Sequence, residues 1–386
     1  DHVNPGKIDF FEAVGFDAVM GRRGGATFHD LYDDRRWFNC HSNGGVFNLG
    51  HRHPQVIDAV RTALDTVDIG NHHLASGHRA ALAERLAATT GGALPGVVFG
   101  VSGGEAIDLA IKVARAATGR LGVVSATGGY HGHTGLALAA GDPRYREPFG
   151  PNPPGFVQVP FDDLDALAAN VDDTTAAVLL ETIPATLGMP IPSPGYLAGV
   201  RRFCDERGAA LILDEVQTGL GRTGTMWAYE QEDVVPDVVV TGKGLSGGIY
   251  PITATLMTRE LHQLFEREPF IHISTFGGAE PGCAAALAVL DIVEAPGFLD
   301  RVMALGHRFE EGFAGAPFAV RRRGLFMGLA FGEADAALAA TMRLFQAGVF
   351  AVYANNDPRV LQFLPPLVVD DGEADEIIAI VRTTLG

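Results

Sequence analysis

Hydrophobic and polar positions follow two patterns along the middle of the chain. Short apolar runs predict strands over 97–101, 121–126, 175–181, 210–214, 237–242 and 251–257. Between or before them, apolar residues recur at helical spacing and predict helices over 54–66, 78–90, 103–117 and 196–207. Strands that alternate with helices of about 10 to 15 residues predict a mostly parallel sheet with helices on both faces, an α/β fold.

The two ends of the chain are patterned differently. Residues 27–38 favour a small antiparallel segment, and residues 39–54 form a loop rich in Asn, Gly and His. After residue 259 the pattern predicts helices over 279–294, 298–313, 334–347 and 373–384, with a strand pair, or one strand broken at Gly324, over 319–331. We therefore expect a large α/β domain over 51–290 and a smaller α+β domain built from residues 1–50 and 291–386.

Composition and charge restrict the class of protein. Of the 386 residues, 47% are hydrophobic and 19% are charged, which is typical of a folded globular protein. No apolar run approaches the roughly 18 residues of a membrane helix, and the first residues lack the pattern of a secretory signal. The net charge of −17 disfavours nucleic acid and anionic membranes as partners. Three cysteines, an odd and sparse set, favour a reducing cytoplasm.

Two strand ends carry the residues most suited to chemistry. Asp214 and Glu215 directly follow one predicted strand, and Lys243 follows the next strand between two glycines. Open α/β sheets bind ligands at the carboxyl ends of their strands. A lysine can form a Schiff base with a pyridine aldehyde, and a carboxylate can pair with the pyridinium nitrogen. Because 26 of the 29 basic residues are arginine, a lysine held between glycines is not a default surface cation.

Other segments predict phosphate and ring contacts. Ser102, Gly103 and Gly104 lie between a strand and a helix, where backbone amides can bind a phosphate; the alternative is a simple hydroxyl cap. Tyr130, just after another strand, could stack on a cofactor ring. Thr275 precedes glycines and a helix, and is either a second phosphate donor or a plain helix lead-in.

Metal and nucleotide motifs are weak by comparison. The histidine pairs His51–His53 and His131–His133 have i, i+2 spacing, whereas zinc ligands usually follow more regular patterns. The sequence contains no CxxC, no HExxH, no GxxxxGK[ST] loop and no dinucleotide fingerprint after a first strand. We therefore expect no metal at the site.

Six segments together resemble the class III aminotransferases, the ornithine, 4-aminobutyrate and diamine group of pyridoxal-phosphate enzymes. The segments are LILDEVQTGLGRTG (211–224), VVPDVVVTGKGLSGG (234–248), SGGEAIDLAIKVAR (102–115), YHGHT (130–134), STFGG (274–278) and LPPLVV (364–369). The similarity covers nearly the whole chain. It implies the aspartate-aminotransferase-like fold type I and a ping-pong transfer of an amino group by pyridoxal 5'-phosphate.

Carried over residue by residue, the resemblance implies a cofactor site with Lys243 as the Schiff-base lysine and proton shuttle. Asp214 would hold the pyridinium, Val216 would face Tyr130 across the ring, and Gln217 would bond the ring hydroxyl. Thr275 would act from the neighbouring subunit, which implies a homodimer with shared sites. The implied cofactor contacts are Ser102, Gly103, Gly104, Tyr130, His131, Asp214, Val216, Gln217, Lys243 and Thr275.

Four positions depart from the family pattern. Gly104 removes one hydroxyl from a phosphate turn that usually reads Ser-Gly-Thr, so we expect slightly looser cofactor binding. Thr186 stands where many members have a second acid, and Gln362 and His133 stand where many have carboxylate-binding arginines. Many family members carry an acid at the position of Thr186 and an arginine at the position of Gln362. Replacing both together avoids leaving one buried charge without its partner. We therefore expect a biosynthetic aminotransferase with an atypical amine donor, such as a primary or ω-amino compound, and an oxo-acid or aldehyde acceptor.

Other functions stay open at the level of sequence. Racemases, epimerases and an aminomutase share the fold, the lysine and the aspartate. A non-catalytic dimeric binding protein or a metal-dependent hydrolase would belong to different classes. The cofactor's fate when only an amine donor is present separates a transaminase from a racemase.

Overall fold

The computed structural model describes residues 3–386. The helices are α1 (Pro5–Ala13), α2 (Ser42–Gly45), α3 (Pro54–Leu64), α4 (Gly77–Thr89), α5 (Gly103–Thr118), α6 (Gly135–Ala140), α7 (Pro143–Arg146), α8 (Leu164–Asn170), α9 (Tyr196–Arg207), α10 (Arg259–Arg267), α11 (Glu280–Val293), α12 (Phe298–Gly312), α13 (Ala336–Gln346) and α14 (Asp371–Leu385). The strands are β1 (Met20–Gly24), β2 (Thr27–Asp30), β3 (Arg36–Asn39), β4 (Gly96–Gly100), β5 (Gly122–Ala126), β6 (Phe156–Val159), β7 (Thr175–Glu181), β8 (Ala210–Asp214), β9 (Val238–Thr241), β10 (Thr253–Met257), β11 (Ala319–Arg323), β12 (Phe326–Ala330), β13 (Val349–Phe350), β14 (Val352–Ala354) and β15 (Asp357–Phe363).

Seven strands form the central sheet in the order β4-β10-β9-β8-β7-β5-β6. All neighbours pair in parallel except β10, which is antiparallel to both β4 and β9. The predicted mostly parallel sheet is therefore confirmed. Because β7, β8 and β9 are adjacent and parallel, their carboxyl ends meet at one edge.

The direction of β10 follows from its connection. Only residues 242–252 separate β9 from β10, and they contain one short 3-10 turn, Lys243–Ser246. A parallel return needs a crossover of a dozen or more residues, usually through a helix. The short connection therefore reverses the chain beside β9. It also keeps the lysine turn at the edge where β9 ends.

Both faces of the sheet are covered, which explains the continuous apolar runs. Along β8, Leu211 and Leu213 belong to one core with α3, α4 and α11, while Ala210 and Ile212 belong to another core with α5. A strand buried on both faces has no polar side to alternate with. The fold is α/β, as predicted.

Several elements between residues 127 and 174 were not predicted. They are β6, α6, α7 and α8, and each is four to seven residues long. Such short segments contain too few apolar positions to establish a period. β6 is also an edge strand, so only Val159 at its end is buried.

The two ends of the chain meet in a smaller region. Strand β3 pairs in parallel with β13, which joins residues 36–39 to residues 349–350. Strands β11, β12, β15 and β14 form a separate antiparallel sheet. The segment 319–331 is a strand pair that turns at Gly324, so the alternative of one broken strand is wrong. The division of domains at residues 50 and 290 stays a prediction.

Among residues 3–386, no single helix is long and apolar enough to cross a bilayer. Helices α11 and α12 reach that composition only as a pair, and they are bent by 71° relative to each other.

Candidate active site

A cavity of about 700 Å³ opens at the edge where β7, β8 and β9 end. This position is where ligands bind in open α/β sheets, and the volume is typical of a cofactor site. Eleven of the thirteen residues predicted for the site line this cavity: Ser102, Gly103, Gly104, Tyr130, His131, His133, Thr186, Asp214, Val216, Gln217 and Lys243. Gln362 and Thr275 do not.

Lys243 follows β9, directly beside the end of β8. Its Nζ donates to Gln217 Oε1 at 2.8 Å. Burial lowers the pKa of Lys243, although the charges of Asp214 and Glu181 act in the opposite direction. Its backbone φ of 44° lies in the left-handed region, which is strained for a lysine. The surrounding fold therefore holds this amine in place and favours its neutral form.

Asp214 is fixed by two hydrogen bonds. Its Oδ2 accepts from His131 Nδ1 at 2.9 Å, and its Oδ1 accepts from the Val216 amide at 3.1 Å. Both Asp214 and His131 are buried. Burial acts to lower the pKa of His131, but the hydrogen bond and charge of Asp214 outweigh it, so that pKa is raised. The pair therefore keeps a carboxylate oriented inside the cavity.

Glu181 is a cavity residue that the sequence analysis missed. It ends β7 directly beside Asp214. Its Oε1 accepts from the Tyr130 amide at 2.9 Å, and its Oε2 accepts from the Ala185 amide at 3.1 Å. Burial raises the pKa of Glu181, and Asp214 adds to that shift. The strand-end argument used for Asp214 applies equally to Glu181 and could have found it.

The start of α5 forms one wall of the cavity. Ser102 Oγ accepts from the Glu105 amide at 3.3 Å, so the simple cap is present. The cap uses the hydroxyl as an acceptor and leaves its hydrogen available to donate. A Cβ on Gly103 would lie 3.6 Å from Val216, so this turn lies against the second residue after β8.

An aromatic series leads outward from Tyr130. The His133 ring lies 5.2 Å from the Tyr130 ring and 5.1 Å from the Tyr145 ring. His133 is exposed and lines the cavity, so it can contact a substrate. Tyr145 was not predicted, since it lies in the short α7.

The remaining specificity positions make contacts of their own. Thr186 Oγ1 donates to the Gly128 carbonyl at 3.2 Å, and Asn356 Nδ2 donates to the same carbonyl at 2.7 Å. Gln362 is buried in β15, where its Oε1 accepts from Gln217 Nε2 at 3.4 Å. Gln362 therefore reaches the cavity only through Gln217.

Thr275 lies outside the cavity and is exposed at the start of a turn over residues 275–278. Four exposed apolar residues surround it in sequence: Phe270, Ile271, Ile273 and Phe276. Its contribution to the site of a neighbouring subunit stays a prediction.

The histidine and carboxylate side chains that the structure describes do not form a metal site. Across residues 3–386, no group of three or more His, Cys, Asp and Glu side chains is placed to hold a metal ion. His51, one of the paired histidines, instead has its Nε2 2.9 Å from Asn39 Nδ2.

Solved structures of known aminotransferases are similar in fold to this chain. The ornithine aminotransferase from Toxoplasma gondii superposes with a TM-score of 0.89 at 27% identity, covering 98% of this chain and 94% of that chain. Its crystal structure shows partial occupancy of PLP at the active site. The N-acetylornithine aminotransferase from Stenotrophomonas maltophilia has a TM-score of 0.82 at 28% identity, covering 98% of each chain. Both support fold type I.

Sequence comparison gives the family. The chain is 53% identical over 382 residues to an uncharacterized aminotransferase from Archaeoglobus fulgidus, covering 97% of this chain and 90% of that protein. The family model "Aminotransferase class-III" matches residues 13–385. The chain therefore belongs to the class III aminotransferases.

Proposed function

We propose that this aminotransferase moves an amino group from a primary amine or ω-amino compound to an oxo-acid or aldehyde acceptor. Pyridoxal 5'-phosphate is the cofactor of its family. The observation that carries the proposal is the placement of Lys243 and Asp214 on neighbouring strand ends in one cavity. Proteins hold this cofactor by a lysine that forms the Schiff base and by a partner for the pyridinium nitrogen, for which an aspartate serves.

The residues in the cavity fit the cofactor. Asp214 offers a buried, oriented carboxylate for the pyridine nitrogen, and Lys243 offers an amine for covalent attachment. The start of α5 offers backbone amides for the phosphate. Tyr130 and Val216 offer apolar surface for the ring. When bound, the cofactor supplies an electron sink and carries the amino group between two half-reactions.

Lys243 would also move a proton through its Nζ. A general base must be unprotonated, and burial favours the neutral amine by lowering its pKa. Gln217 Oε1 accepts from Nζ and so orients the amine. His131 would act through Asp214, because its Nδ1 hydrogen bond fixes the carboxylate in position.

The substrate proposal rests on the residues around the cavity. Within the part of the chain that the structure describes, no arginine lines the cavity. The positions predicted to lack the usual acid and arginine carry Thr186 and Gln362, which bond to Gly128 and Gln217. An α-carboxylate would thus find no guanidinium partner from this subunit's cavity wall. We infer a donor that is not held as an ordinary α-amino acid.

We also propose a homodimer, in which Thr275 contacts the cofactor phosphate bound by the partner. Its support is the exposed position of Thr275 among apolar residues. In a ping-pong reaction both half-reactions would use this one cofactor site.

Borohydride reduction of the cofactor-loaded protein, followed by peptide mapping, tests the main proposal. We expect a pyridoxyl group on the peptide that contains Lys243 and none on those with Lys7 or Lys112. Lys243→Ala should abolish the label and lower kcat by about 10²–10⁴-fold, the range for a lost general base. A labelled Lys112, or an unlabelled Lys243, would contradict it.

A panel of amines and oxo compounds, assayed separately for each half-reaction, tests the substrate class. We expect primary or ω-amines to give the highest kcat/KM. If the best donors are all α-amino acids that transfer their α-amino group, the substrate proposal is wrong and the cofactor assignment still stands.

A further inference from the structure

The Thr134 hydroxyl has no assigned role, although Thr134 lines the active-site cavity. Thr134 immediately precedes α6, where a threonine usually accepts a hydrogen bond from an amide of the first turn. It makes no such bond. Instead Asp108 Oδ1 of α5 accepts from the Ala137 amide at 2.7 Å. Asp108 therefore accepts the hydrogen bond that the Thr134 hydroxyl would ordinarily accept as the helix cap.

The same hydroxyl lies against the first turn of α5. A Cβ atom on Gly104 would lie 2.6 Å from Thr134 Oγ1 and 3.2 Å from Thr134 Cγ2. These distances are shorter than van der Waals contact, so Thr134 occupies the space of the side chain that Gly104 lacks. Gly132 permits this close approach, because a Cβ at position 132 would lie only 2.7 Å from the Gly104 Cα.

We propose that Thr134 binds the phosphate group of the cofactor, donating from the neighbouring turn the hydroxyl that position 104 lacks. The inference rests on the proposed function. Amides at the start of a sixteen-residue helix favour a dianion, and a hydroxyl adds a charge-assisted hydrogen bond. From the sequence, Gly104 is expected to loosen cofactor binding slightly; Thr134 offsets that loss.

Two carboxylates near this turn are each hydrogen-bonded to a backbone amide. Glu105 Oε2 accepts from the Val101 amide at 2.7 Å, and Asp108 Oδ1 accepts from the Ala137 amide at 2.7 Å. The Ser102 hydroxyl accepts from the Glu105 amide and can still donate, so the phosphate would meet two hydroxyl donors, from Ser102 and Thr134.

Equilibrium titration of the cofactor-free full chain with pyridoxal phosphate, followed by absorbance, tests the role of Thr134. Thr134→Val keeps the side-chain shape and removes the hydroxyl, so we expect the dissociation constant to rise about tenfold, the effect of one hydrogen bond to a charged group. Thr134→Ser should bind like the wild type. Thr383→Val, on the exposed face of α14, is the matched control.

Pyridoxal without its phosphate separates phosphate binding from ring binding. Thr134→Val should weaken pyridoxal phosphate and leave pyridoxal unchanged; an equal loss for both ligands would overturn the inference. A second variant tests the hydroxyl itself. Gly104→Ser combined with Thr134→Ala returns a hydroxyl from the other side of the contact, and should recover affinity lost in Thr134→Ala alone.

The outcomes also separate this inference from the proposed function. If the wild type forms the Lys243 adduct and Thr134→Val binds pyridoxal phosphate as tightly, only the role of Thr134 is wrong. If the wild type neither binds pyridoxal phosphate nor forms the adduct, both proposals fail.

Discussion

Among single residues, the candidate active site contains side chains whose pKa values or backbone conformations differ from the usual ones. Lys243 has a left-handed backbone and a pKa lowered by burial, whereas the pKa of His131 is raised by its bond to Asp214. Shifts in opposite directions within one cavity are typical of sites that handle protons. The sequence indicated which residues these are, but the directions of the shifts depend on burial and neighbours.

The lowered pKa of Lys243 predicts a pH-dependent cost in stability. Between that lowered value and the ordinary lysine value of 10.5, the unfolded chain holds more protons than the folded chain. The stability of the cofactor-free protein should therefore rise with pH through this interval. Lys243→Met removes this ionisable amine. The variant's free energy of unfolding, measured with urea, should therefore exceed that of the wild type at pH 7, and the difference should shrink toward pH 10.5.

Lys112→Met is the control for this experiment, because Lys112 is exposed on α5. A Lys243→Met difference that changes with pH no more than the Lys112→Met difference would show that the amine is not buried in the cofactor-free protein.

At the scale of the element, turns that follow separate strands are brought together by glycines. Gly132 has a φ of 110°, and the turn that contains it lies on the start of α5. The strands and the helix predicted around these turns, β4, β5 and α5, are confirmed. The contact between the turns could not be predicted, since it joins residues near 104 to residues near 132 through space, and no periodicity encodes it.

Gly132→Ala should therefore disturb both folding and cofactor binding. The new Cβ would be strained at this φ and would clash with Gly104, so we expect a loss of about 2–3 kcal/mol in the free energy of unfolding. Gly119→Ala is the matched control: Gly119 has a φ of 69° with open space around it. It should cost about 1 kcal/mol and leave cofactor affinity unchanged. Equal effects of the two variants would mean that the close contact is unimportant.

At the scale of the whole molecule, the catalytic sheet is built from the middle of the chain and the smaller sheets from its ends. Strand β3 (Arg36–Asn39) pairs with β13 (Val349–Phe350), so both ends of the chain contribute to one sheet. Arg222, after β8, links the parts: its guanidinium donates to Asn48 and to the carbonyls of Leu325 and Pro365. It bonds to neutral oxygens, and burial lowers its pKa to about 9.

The exposed apolar residues around Thr275 predict an interface between two copies of the chain. Phe276→Asp should convert the proposed dimer to a monomer, since an aspartate at an apolar contact pays desolvation without a partner. Light scattering coupled to size exclusion would measure the mass, and absorbance the bound cofactor. We expect cofactor affinity to fall by about tenfold if Thr275 binds the partner's phosphate.

Leu121→Asp is the control for that experiment, because Leu121 is also exposed but precedes β5, at the opposite edge of the sheet. It should leave the mass unchanged. A Phe276→Asp protein that stays dimeric and binds cofactor like the wild type would exclude this surface as the interface.

The α/β class, the family resemblance and the residues most suited to the chemistry follow from the amino-acid sequence alone. Apolar periodicity predicts the secondary structure, and Asp214 and Lys243 at strand ends have a chemical meaning that does not depend on detailed packing. How these residues contact one another is a property of the tertiary structure. It placed Glu181 beside Asp214, joined Lys243 to Gln217 and Gln217 to Gln362, and set Thr134 against Gly104. Such contacts depend on distances between segments far apart in the chain, which only the packed fold brings within bonding range.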